Sequence, residues 1–551
     1  MRTTLLPVLL VALAACPRAT PPAPPTPRET YDASAGADAR RIEADVRFLA
    51  DDLLEGREAG TRGYDLAALY VAQRYRAIGL APAGDDGSYY QRVPMLRGVR
   101  VDNGGELVII RDGSQQSLVF REQFLPGVNF NESDARIEAA VVFVGQGVYA
   151  PELKQDDFAG VDVKGRIAVL LGGAPPRFDN DRRAFYSSTR TKNEELVRRG
   201  AIGVIQVQTD DEEKQSPWTR AASNWSRPSM RLRGPDGKGL DTFPQLRVSA
   251  NVSAASAAAL LSVEGHDAAK LFQDMRDGSL RAFELAGTIR LSAHTTITPV
   301  ESRNVVGRLE GSGKKNEHVV LSAHLDHVGI GAPVGGDAIY NGALDNALGI
   351  AVMLEAANRL AHEPPAQRSL LFVAVTAEEK GLLGATWYAQ HPTVPRDSMI
   401  ANVNMDMPVL LAPTRDVVPI GLEHSTLQPL VQRAAKVAGV ELSPDPQPQE
   451  TVFVRSDQYA FIRAGVPAVY LTGGYRGRDG EDVKEINQAF LHQRYHQPGD
   501  DVSQPIQYAD AARLALLNAR IRRQIADGPQ RPSWNAGDFF GEKFGQSAST
   551  Q

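Results

Sequence analysis

Strand-like and helix-like patterns alternate through the C-terminal half of the chain, from about residue 303 onward. Short apolar runs are followed by longer segments with helical periodicity. Such alternation favours a sheet covered by helices on both faces. The fold class predicted is α/β, with a mixed, mostly parallel sheet. The expected strands are 304–309, 318–324, 369–375, 400–405 and 467–471, and the expected helices lie near 347–362, 380–390, 425–438, 456–464 and 507–526.

The 551 residues are too many for one ordinary core, so two domains are expected. Residues 38–92 carry two helical stripes and form the N-terminal helical part of the first domain. Residues 93–295 contain mostly short β-like runs with turn signals, which predicts a β-rich α+β domain inserted into the first. Residues 296–527 hold the alternating pattern. Residues 528–551 are polar and glycine-rich and are expected to be a poorly ordered tail.

The N-terminus has the features of an export signal over residues 1–16. A positive Arg2 precedes a short apolar run, which is too short to span a bilayer. The run ends in LAAC, which looks like a bacterial lipobox with Cys16, the sole cysteine, as the acylated residue. A plain secretory signal with an incidental cysteine is the alternative. Residues 17–37 are expected to be a Pro-rich tether, so the protein is predicted to be lipid-anchored in the bacterial cell envelope or secreted.

The charge distribution argues against a nucleic-acid partner. The formal net charge is -6, the pI is near 6.0, and no Lys/Arg cluster forms a basic stripe. Contact with a membrane is expected only through the lipid at Cys16.

Metal-type side chains stand at or just past the ends of the apolar runs in the C-terminal half. In folds of this class ligands gather at the carboxyl ends of the strands. Imidazole and carboxylate groups without cysteine are the donors that a hydrolytic zinc site uses. Two histidines and three carboxylates are enough for two ions that share one carboxylate. The candidates are His324, Asp345, Glu379, Asp406 and His496, with Asp326 and Glu378 beside them.

The first candidates lie around the end of an expected strand. His324 and Asp326 are two residues apart and point to the same side, so Asp326 is expected to hydrogen-bond the second ring nitrogen of His324. His327 points to the opposite side and is expected to be structural. Asp345 is the carboxylate chosen to bridge two ions, although a helix N-cap is its ordinary alternative.

The remaining carboxylates follow apolar runs. Glu378 and Glu379 project differently, so one can hold metal while the other reaches a water molecule; the alternative is an acidic pair at a helix N-terminus. Asp406 ends a strand, and a buried carboxylate there is costly unless a cation meets it.

These residues resemble the M28 family of co-catalytic zinc metallopeptidases. The matching stretches are 322–329 (SAHLDHVG), 341–346 (NGALDN), 376–384 (TAEEKGLLG), 404–407 (NMDM), 456–458 (SDQ), 495–501 (YHQPGDD) and, in the N-terminal part, 53–61 (LLEGREAGT). The inserted region resembles a protease-associated (PA) domain at 156–165 (DDFAGVDVKG) and 200–205 (GAIGVI).

The resemblance implies an aminopeptidase that acts on peptides with two Zn²⁺ per chain. His324 and Asp406 would hold one ion, Glu379 and His496 the other, and Asp345 would bridge them. Glu378 would be the general base, with Asp326 orienting His324. The family also implies a cis peptide bond at Asp345-Asn346. The PA-like region is hypothetically a lid over the site.

The sequence departs from the family in places. Gln458 stands where the family has histidine, and 452–454 (VFV) occupies a place where some members have a tyrosine that stabilises the oxyanion. Tyr475 and Tyr495 are the candidates for that role.

Two other functions remain open. A carboxypeptidase or glutamate-releasing peptidase would need cations near the site, and a catalytically silent binding protein would keep only the fold. Aminopeptidase activity is expected because every matched ligand position is retained. The loop arginines that could serve a carboxypeptidase are Arg455, Arg463, Arg476 and Arg478.

Overall fold

Helices and strands follow one another through residues 36–263 and 265–545, the parts of the chain that the computed structural model describes. The expected signal peptide, Cys16 and the tether up to residue 35 lie outside these parts. The N-terminal elements are α1 (Ala37–Leu49), α2 (Arg62–Ile78), β1 (Ala81–Pro82) and β2 (Tyr90–Arg100).

The middle of the chain contributes short strands and short helices. They are β3 (Leu107–Arg111), β4 (Ser114–Ser117), β5 (Phe124–Pro126), β6 (Asp134–Phe143), β7 (Tyr149–Ala150), β8 (Gln155–Asp156), β9 (Ile167–Leu171), α3 (Asn180–Ser187), α4 (Thr189–Arg198), β10 (Gly203–Val207), α5 (Asp210–Gln215), α6 (Trp218–Ser223), β11 (Ser229–Leu232), β12 (Val248–Val252), α7 (Ala257–Leu261) and α8 (Ala268–Arg276).

The C-terminal part alternates strands with longer helices. Its elements are β13 (Phe283–Leu309), β14 (His318–His324), β15 (Gly329–Val334), β16 (Asp337–Tyr340), α9 (Leu348–Ala361), β17 (Ser369–Val375), α10 (Leu383–Gln390), β18 (Met399–Met405), β19 (Asp416–Ile420), α11 (Gln428–Ala438), β20 (Glu441–Leu442), α12 (Gln458–Arg463), β21 (Ala468–Gly473), α13 (Val483–Gln493), α14 (Tyr508–Asp527) and α15 (Phe539–Phe544).

The first sheet is mixed, and its central strands are parallel. β17, β14, β18 and β21 lie side by side in that order, all parallel. β13 pairs antiparallel with β17 at one side, and β19 pairs antiparallel with β21 at the other. The predicted fold class is confirmed, and the strands expected at 318–324 and 369–375 have those bounds.

Helices cover both faces of this sheet because its strands are apolar on both. In β17, Leu371 and Val373 pack towards α10 and α12, while Phe372 and Ala374 pack towards α1, α9 and α14. Full burial of each large apolar side chain contributes about 1.5–3 kcal/mol. Runs without polar alternation are what a sheet buried on both faces needs.

A second sheet, formed mostly by the middle of the chain, has an apolar core of its own. β6, β9, β10 and β12 are parallel in that order. β13 pairs antiparallel with β6 and with β3. Strands and short helices therefore coexist here, and the assignment of this region to a PA domain stays a prediction.

One long strand, β13, belongs to both sheets. Its first part pairs with β6, and its later part pairs with β2 from Thr295 to Val305 and with β17 from Val305 to Leu309. The boundary expected between residues 295 and 296 thus falls inside a continuous strand. The strand continues because β2 gives it an unbroken antiparallel partner across that point.

The C-terminal tail is ordered as far as residue 545, so the expectation of a poorly ordered tail from 528 was wrong for this stretch. Phe540 in α15 is fully buried. Its ring centroid lies 5.3 Å from those of His424 and Phe453. The segment is polar on average, but its few aromatic residues pack against β19, α12 and β21 of the C-terminal part and hold it in place.

Within the described residues, no helix combines the length and the apolarity that a bilayer crossing requires.

Candidate metal centre

The candidate ligands converge at the carboxyl ends of the parallel strands. β14 ends at His324, which is paired in register with Val375 at the end of β17. β18 ends at Met405, so Asp406 follows it directly. Neighbouring parallel strands end at the same edge of a sheet, and the loops that follow them therefore meet there.

The first ligand group consists of His324, Asp345 and Asp406. Nε2 of His324 lies 2.9 Å from Oδ1 of Asp406 and 3.2 Å from Oδ1 of Asp345. The hydroxyl of Ser456 donates a hydrogen bond of 2.5 Å to the other oxygen of Asp406. That bond leaves Oδ1 of Asp406 facing the imidazole.

The second ligand group contains Glu379, His496 and again Asp345. Nε2 of His496 lies 2.9 Å from Oε2 of Glu379 and 3.2 Å from Oδ2 of Asp345. Asp345 therefore presents one oxygen to each group, which is the arrangement of a bridging carboxylate. The five predicted ligands are all brought together.

His327 also lies in the second group, so the prediction that it is turned away from the other candidates was wrong, while its structural role stays a prediction. Its Nδ1 lies 2.7 Å from Oε1 of Glu379 and 3.8 Å from Oδ2 of Asp345. The prediction assumed that the strand continues past His324, but β14 ends there and its two-residue alternation ends with it. The sequence carries no signal of this approach, which Gly342 permits, because a Cβ there would lie 2.6 Å from Cγ of His327.

Buried ligand-type atoms in the second group lack hydrogen-bond partners among the described residues. They are both ring nitrogens of His327, Oε1 of Glu379 and Nε2 of His496. Each buried unpaired polar group costs about 1–3 kcal/mol. Because these atoms face one another at short range, one shared cation would satisfy them together, and nitrogen and carboxylate donors suit Zn²⁺.

Asp326 holds the turn that carries the two glutamates. Its carboxylate accepts hydrogen bonds from the backbone N–H groups of Glu378 at 3.0 Å and Glu379 at 3.3 Å. It therefore stays 4.0 Å from Nδ1 of His324, too far for the hydrogen bond that the sequence predicted. The main-chain oxygen of Asp326 lies 3.1 Å from that nitrogen and takes the orienting role instead.

Glu378 follows Ala377, whose φ of 55° turns the chain away from the strand direction. The helix expected from residue 380 begins only at Leu383, since this turn occupies the intervening residues. Burial raises the pKa of the Glu378 carboxyl well above its usual range, and the neighbouring carboxylates of Asp406 and Glu379 act in the same direction.

Two charged residues outside the predicted set hold the loops of the centre. Arg57 is buried and donates hydrogen bonds to the main-chain oxygens of Leu325 at 2.9 Å and Gly342 at 3.0 Å. Asp500 accepts hydrogen bonds from the backbone N–H groups of Leu344 and Asp345 at 2.9 and 3.0 Å. Both residues lie in stretches that resemble the M28 family, but their spacing in the sequence did not predict these hydrogen bonds.

The peptide bond between Asp345 and Asn346 is cis, as the resemblance implies. Asn346 then joins this loop to the end of β18. Its amide donates to the main-chain oxygen of Met405 at 3.1 Å and accepts from the backbone N–H of Met407 at 3.0 Å.

The two candidate tyrosines have different positions. The ring of Tyr495 stacks on that of His496, with centroids 3.9 Å apart, and so lies beside the second group. Tyr475 packs in a separate apolar cluster with Phe453 and Phe540. Gln458, in the family's histidine position, accepts a hydrogen bond from Asn404 at 2.8 Å and donates to the main-chain oxygen of Phe453 at 2.9 Å.

Part of the chain is similar to a known family of peptidases. Residues 304–521 match the model of peptidase family M28. That stretch contains every residue of the two ligand groups and also Glu378. It covers the first sheet from the last residues of β13 onward and most of α14.

Curated relatives match only part of the chain. A probable zinc metalloprotease of Pyrenophora teres f. teres is 35% identical over 111 residues, which are 20% of this chain and 23% of that protein. Aminopeptidase YwaD of Bacillus subtilis is 33% identical over 135 residues, 24% of this chain and 26% of that protein. The chain thus spans about a quarter of the length of these relatives.

Among solved structures, an aminopeptidase from Aneurinibacillus sp. strain AM-1 has the same fold. The similarity covers 88% of this chain and 93% of that one, with a TM-score of 0.52 and 19% identity. At this level of identity the comparison establishes the fold alone.

Proposed function

We propose that the chain is a two-zinc aminopeptidase that removes N-terminal residues from peptides. The observation that carries the proposal is the pair of ligand groups that share Asp345. The match of this segment to peptidase family M28 and the names of two similar proteins, both aminopeptidases, support it.

Each ligand has an assigned place in the proposal. His324 and Asp406 hold one ion, Glu379 and His496 hold the other, and Asp345 contacts both. His327 is a further ligand of the second ion, since its buried ring nitrogens have no hydrogen-bond partner in the described chain. When bound, two such ions supply an activated water nucleophile and polarise the scissile carbonyl.

Glu378 is the proposed general base. Its carboxylate would accept a proton from the attacking water and pass it to the amine of the leaving peptide. The two hydrogen bonds that Asp326 accepts from the Glu378–Glu379 backbone keep Glu378 free to move a proton while Glu379 stays with the second group.

The charge of the centre favours a free N-terminus. Asp326, Glu378 and Asp457 add carboxyl groups to the three carboxylates among the ligands, and both oxygens of Asp457 are buried without a hydrogen-bond partner in the described chain. Two bound zinc ions would offset the charge of the ligand carboxylates, so the carboxyl groups beyond the ligands, above all Asp457, are what an α-ammonium group would meet.

Metal analysis combined with a panel of amino-acid p-nitroanilides tests the proposal. We expect about two zinc ions per chain and release of p-nitroaniline that a chelator abolishes and zinc restores. N-acetylated versions of the same compounds are the control and should not be cleaved. Absence of bound metal together with absence of hydrolysis would leave a binding protein that keeps the fold.

A carboxypeptidase is the second candidate, because cations do lie near the centre. Three of the loop arginines considered from the sequence are engaged elsewhere: Arg455 with Glu450 at 3.6 Å, Arg476 with Glu441 at 3.4 Å and Arg478 with Asp510 at 2.6 Å. Other arginines, from the middle of the chain, line the cavity beside the second ligand group. Release of C-terminal residues from N-blocked peptides would favour this candidate.

We also propose that the protein is exported and carries a lipid on Cys16, on the strength of the lipobox-like sequence. Labelling of cells with radioactive palmitate should mark the protein, and Cys16→Ser should abolish the label. An unlabelled wild-type protein in the culture medium would instead indicate plain secretion.

A further inference from the structure

A cavity of about 640 Å³ lies beside the second ligand group. Val328, Glu379, Lys380 and His496 form its wall on the side of the centre. The opposite wall comes from the middle of the chain, between Arg100 and Asn251. A cavity of this size is typical of sites that enclose a small ligand.

Three arginines line this cavity without a carboxylate partner: Arg100, Arg227 and Arg231. Within the described residues, no Asp or Glu oxygen lies within 4 Å of their guanidinium nitrogens. Arg100 donates only to main-chain oxygens, at 2.6 Å to Pro126 and 3.0 Å to Trp225. Arg231 donates to its neighbour's main-chain oxygen at 2.7 Å. None of the three therefore forms an ion pair in the described chain, although the carboxylates of Glu58 and Glu379 also act on the charge of Arg227.

Arg227 is the arginine with free donors. Its Nε and Nη2 are buried and make no hydrogen bond to the described chain. The guanidinium is held 4.1 Å from the ring centroid of Tyr340, and Gly331 leaves it room, since a Cβ there would lie 2.1 Å from Nη2. A buried charge with unused donors is costly unless an anion meets it.

Apart from the proposed metal ligands Glu379 and His496, the other charged groups of the cavity are already satisfied. Lys380 pairs with Glu58 at 2.7 Å. Glu212 accepts a hydrogen bond of 2.9 Å from the backbone of Thr209 as part of a helix cap. Uncharged amides fill much of the remaining wall and suit the amide groups of a peptide; they are Gln206, Gln208, Asn224 and Asn251.

We propose that this cavity is a carboxylate subsite for the substrate, with Arg227 as its main donor. A peptide would place its reacting bond at the ligand groups and a carboxylate against Arg227. The planar fork of a guanidinium can donate two parallel hydrogen bonds to such a group. This inference rests on the proposed function, which supplies the reacting end. Its carboxylate has two possible sources, the C-terminus of a short peptide or an acidic side chain.

A matched set of peptides tests the subsite. One tripeptide is used as the free acid and as the C-terminal amide, and a third peptide carries glutamate in the middle and an amide at its end. In the wild type we expect kcat/KM for the free acid to exceed that for the amide by about 10- to 100-fold, the range for hydrogen bonds to a charged group. In Arg227→Gln this ratio should fall towards one, and Arg227→Lys should keep part of it.

Arg199→Gln is the matched control, because Arg199 also stacks on an aromatic ring, 4.2 Å from the centroid of Phe158, but lies outside the cavity. Its ratio should equal that of the wild type. If kcat/KM for the glutamate-containing amide exceeds that for the plain amide, and Arg227→Gln removes this difference, then the subsite binds the carboxylate of an acidic side chain. Equal kcat/KM for all three peptides in the wild type would overturn the subsite.

A measurement of peptide binding tests the subsite independently of the proposed peptidase activity. Calorimetry with the zinc-loaded Glu378→Gln protein should show tighter binding of the free acid than of the amide, and the added Arg227→Gln change should remove the difference. If no peptide is hydrolysed by the wild type, the proposed function fails, and this binding difference alone still decides for or against the subsite.

Discussion

Replacement of His327 by asparagine tests whether this histidine binds the metal ion of the second ligand group. The ring is fully buried, its Nδ1 lies 2.7 Å from Glu379, and no described residue hydrogen-bonds either ring nitrogen. Asparagine can place its amide near the position of Nδ1, but a neutral amide oxygen is a much weaker zinc ligand than an imidazole nitrogen. The variant should therefore lose affinity for one of two zinc ions.

The size of the loss in zinc affinity shows whether His327 is itself a ligand or only supports one. Removal of a residue that only supports a ligand weakens metal binding by about 10- to 100-fold. Loss of a ligand itself should reach at least about 100-fold, or about 2.8 kcal/mol at 1.4 kcal/mol per factor of ten. The first group, which does not include His327, should keep its ion.

Zinc content after dialysis against a series of zinc–chelator buffers gives the measurement. The wild type should hold two ions per chain over a range in which His327→Asn holds one. His424→Asn is the control, since His424 is also buried and lies 2.7 Å from Asp538, yet belongs to neither ligand group. If His327→Asn binds two ions as tightly as the wild type, the assignment of His327 as a ligand is refuted.

Three further outcomes are expected. Glu378→Gln should keep its zinc and lose about 10²- to 10⁴-fold in kcat, the range for a general base; full activity in a zinc-loaded variant would contradict the scheme. Burial lowers the pKa of His318 from 6.5 to about 4, so the unfolded chain takes up the proton first as the pH falls. The stability that the neutral ring contributes above pH 6.5 is lost between about 6.5 and 4, and because solvent partly screens the site the loss at pH 5.5 is below about 1.4 kcal/mol. Urea unfolding at pH 7.5 and 5.5 should show this loss in the wild type and a smaller one in His318→Gln, and equal losses would refute it. Phe540→Ala should lower the free energy of unfolding by about 3–5 kcal/mol, as for other buried aromatic residues, and an unchanged denaturation midpoint would mean that the C-terminal segment is not anchored.

The parallel strands of the first sheet were predictable because each is a short run of buried apolar residues. β14 and β17 begin and end where the sequence indicates, since both faces of these strands are covered and most of their residues are apolar. His324, Glu379 and Asp406 followed from the same fact, because they stand at or shortly after the ends of those runs, whereas Asp345 and His496 lie in loops and were predicted from the resemblance.

What lay beyond the strand ends was less predictable. His327 and the late start of α10 were both missed, and both depend on contacts between distant segments: Asp326 with the backbone of Glu378, and Arg57 with the main chain of Leu325. Hydrogen bonds across such separations leave no periodic signal. The arginines of the cavity come from the middle of the chain, where no motif connects them with the ligands.

The pairing of β2 with β13 has a practical consequence for protein engineering. The two strands form an antiparallel ribbon from the Tyr90–Val305 pair to the Arg100–Thr295 pair. Partners across such a ribbon are about 5 Å apart, close enough for a two-residue turn to join them. The chain between Arg100 and Thr295 therefore leaves and re-enters the ribbon at one defined cutting point, although exchange of the whole segment would also remove β11, which pairs with β2. A new module joined there would be attached to two paired strands rather than to a flexible linker. The ribbon of β2 and β13 would therefore fix its orientation.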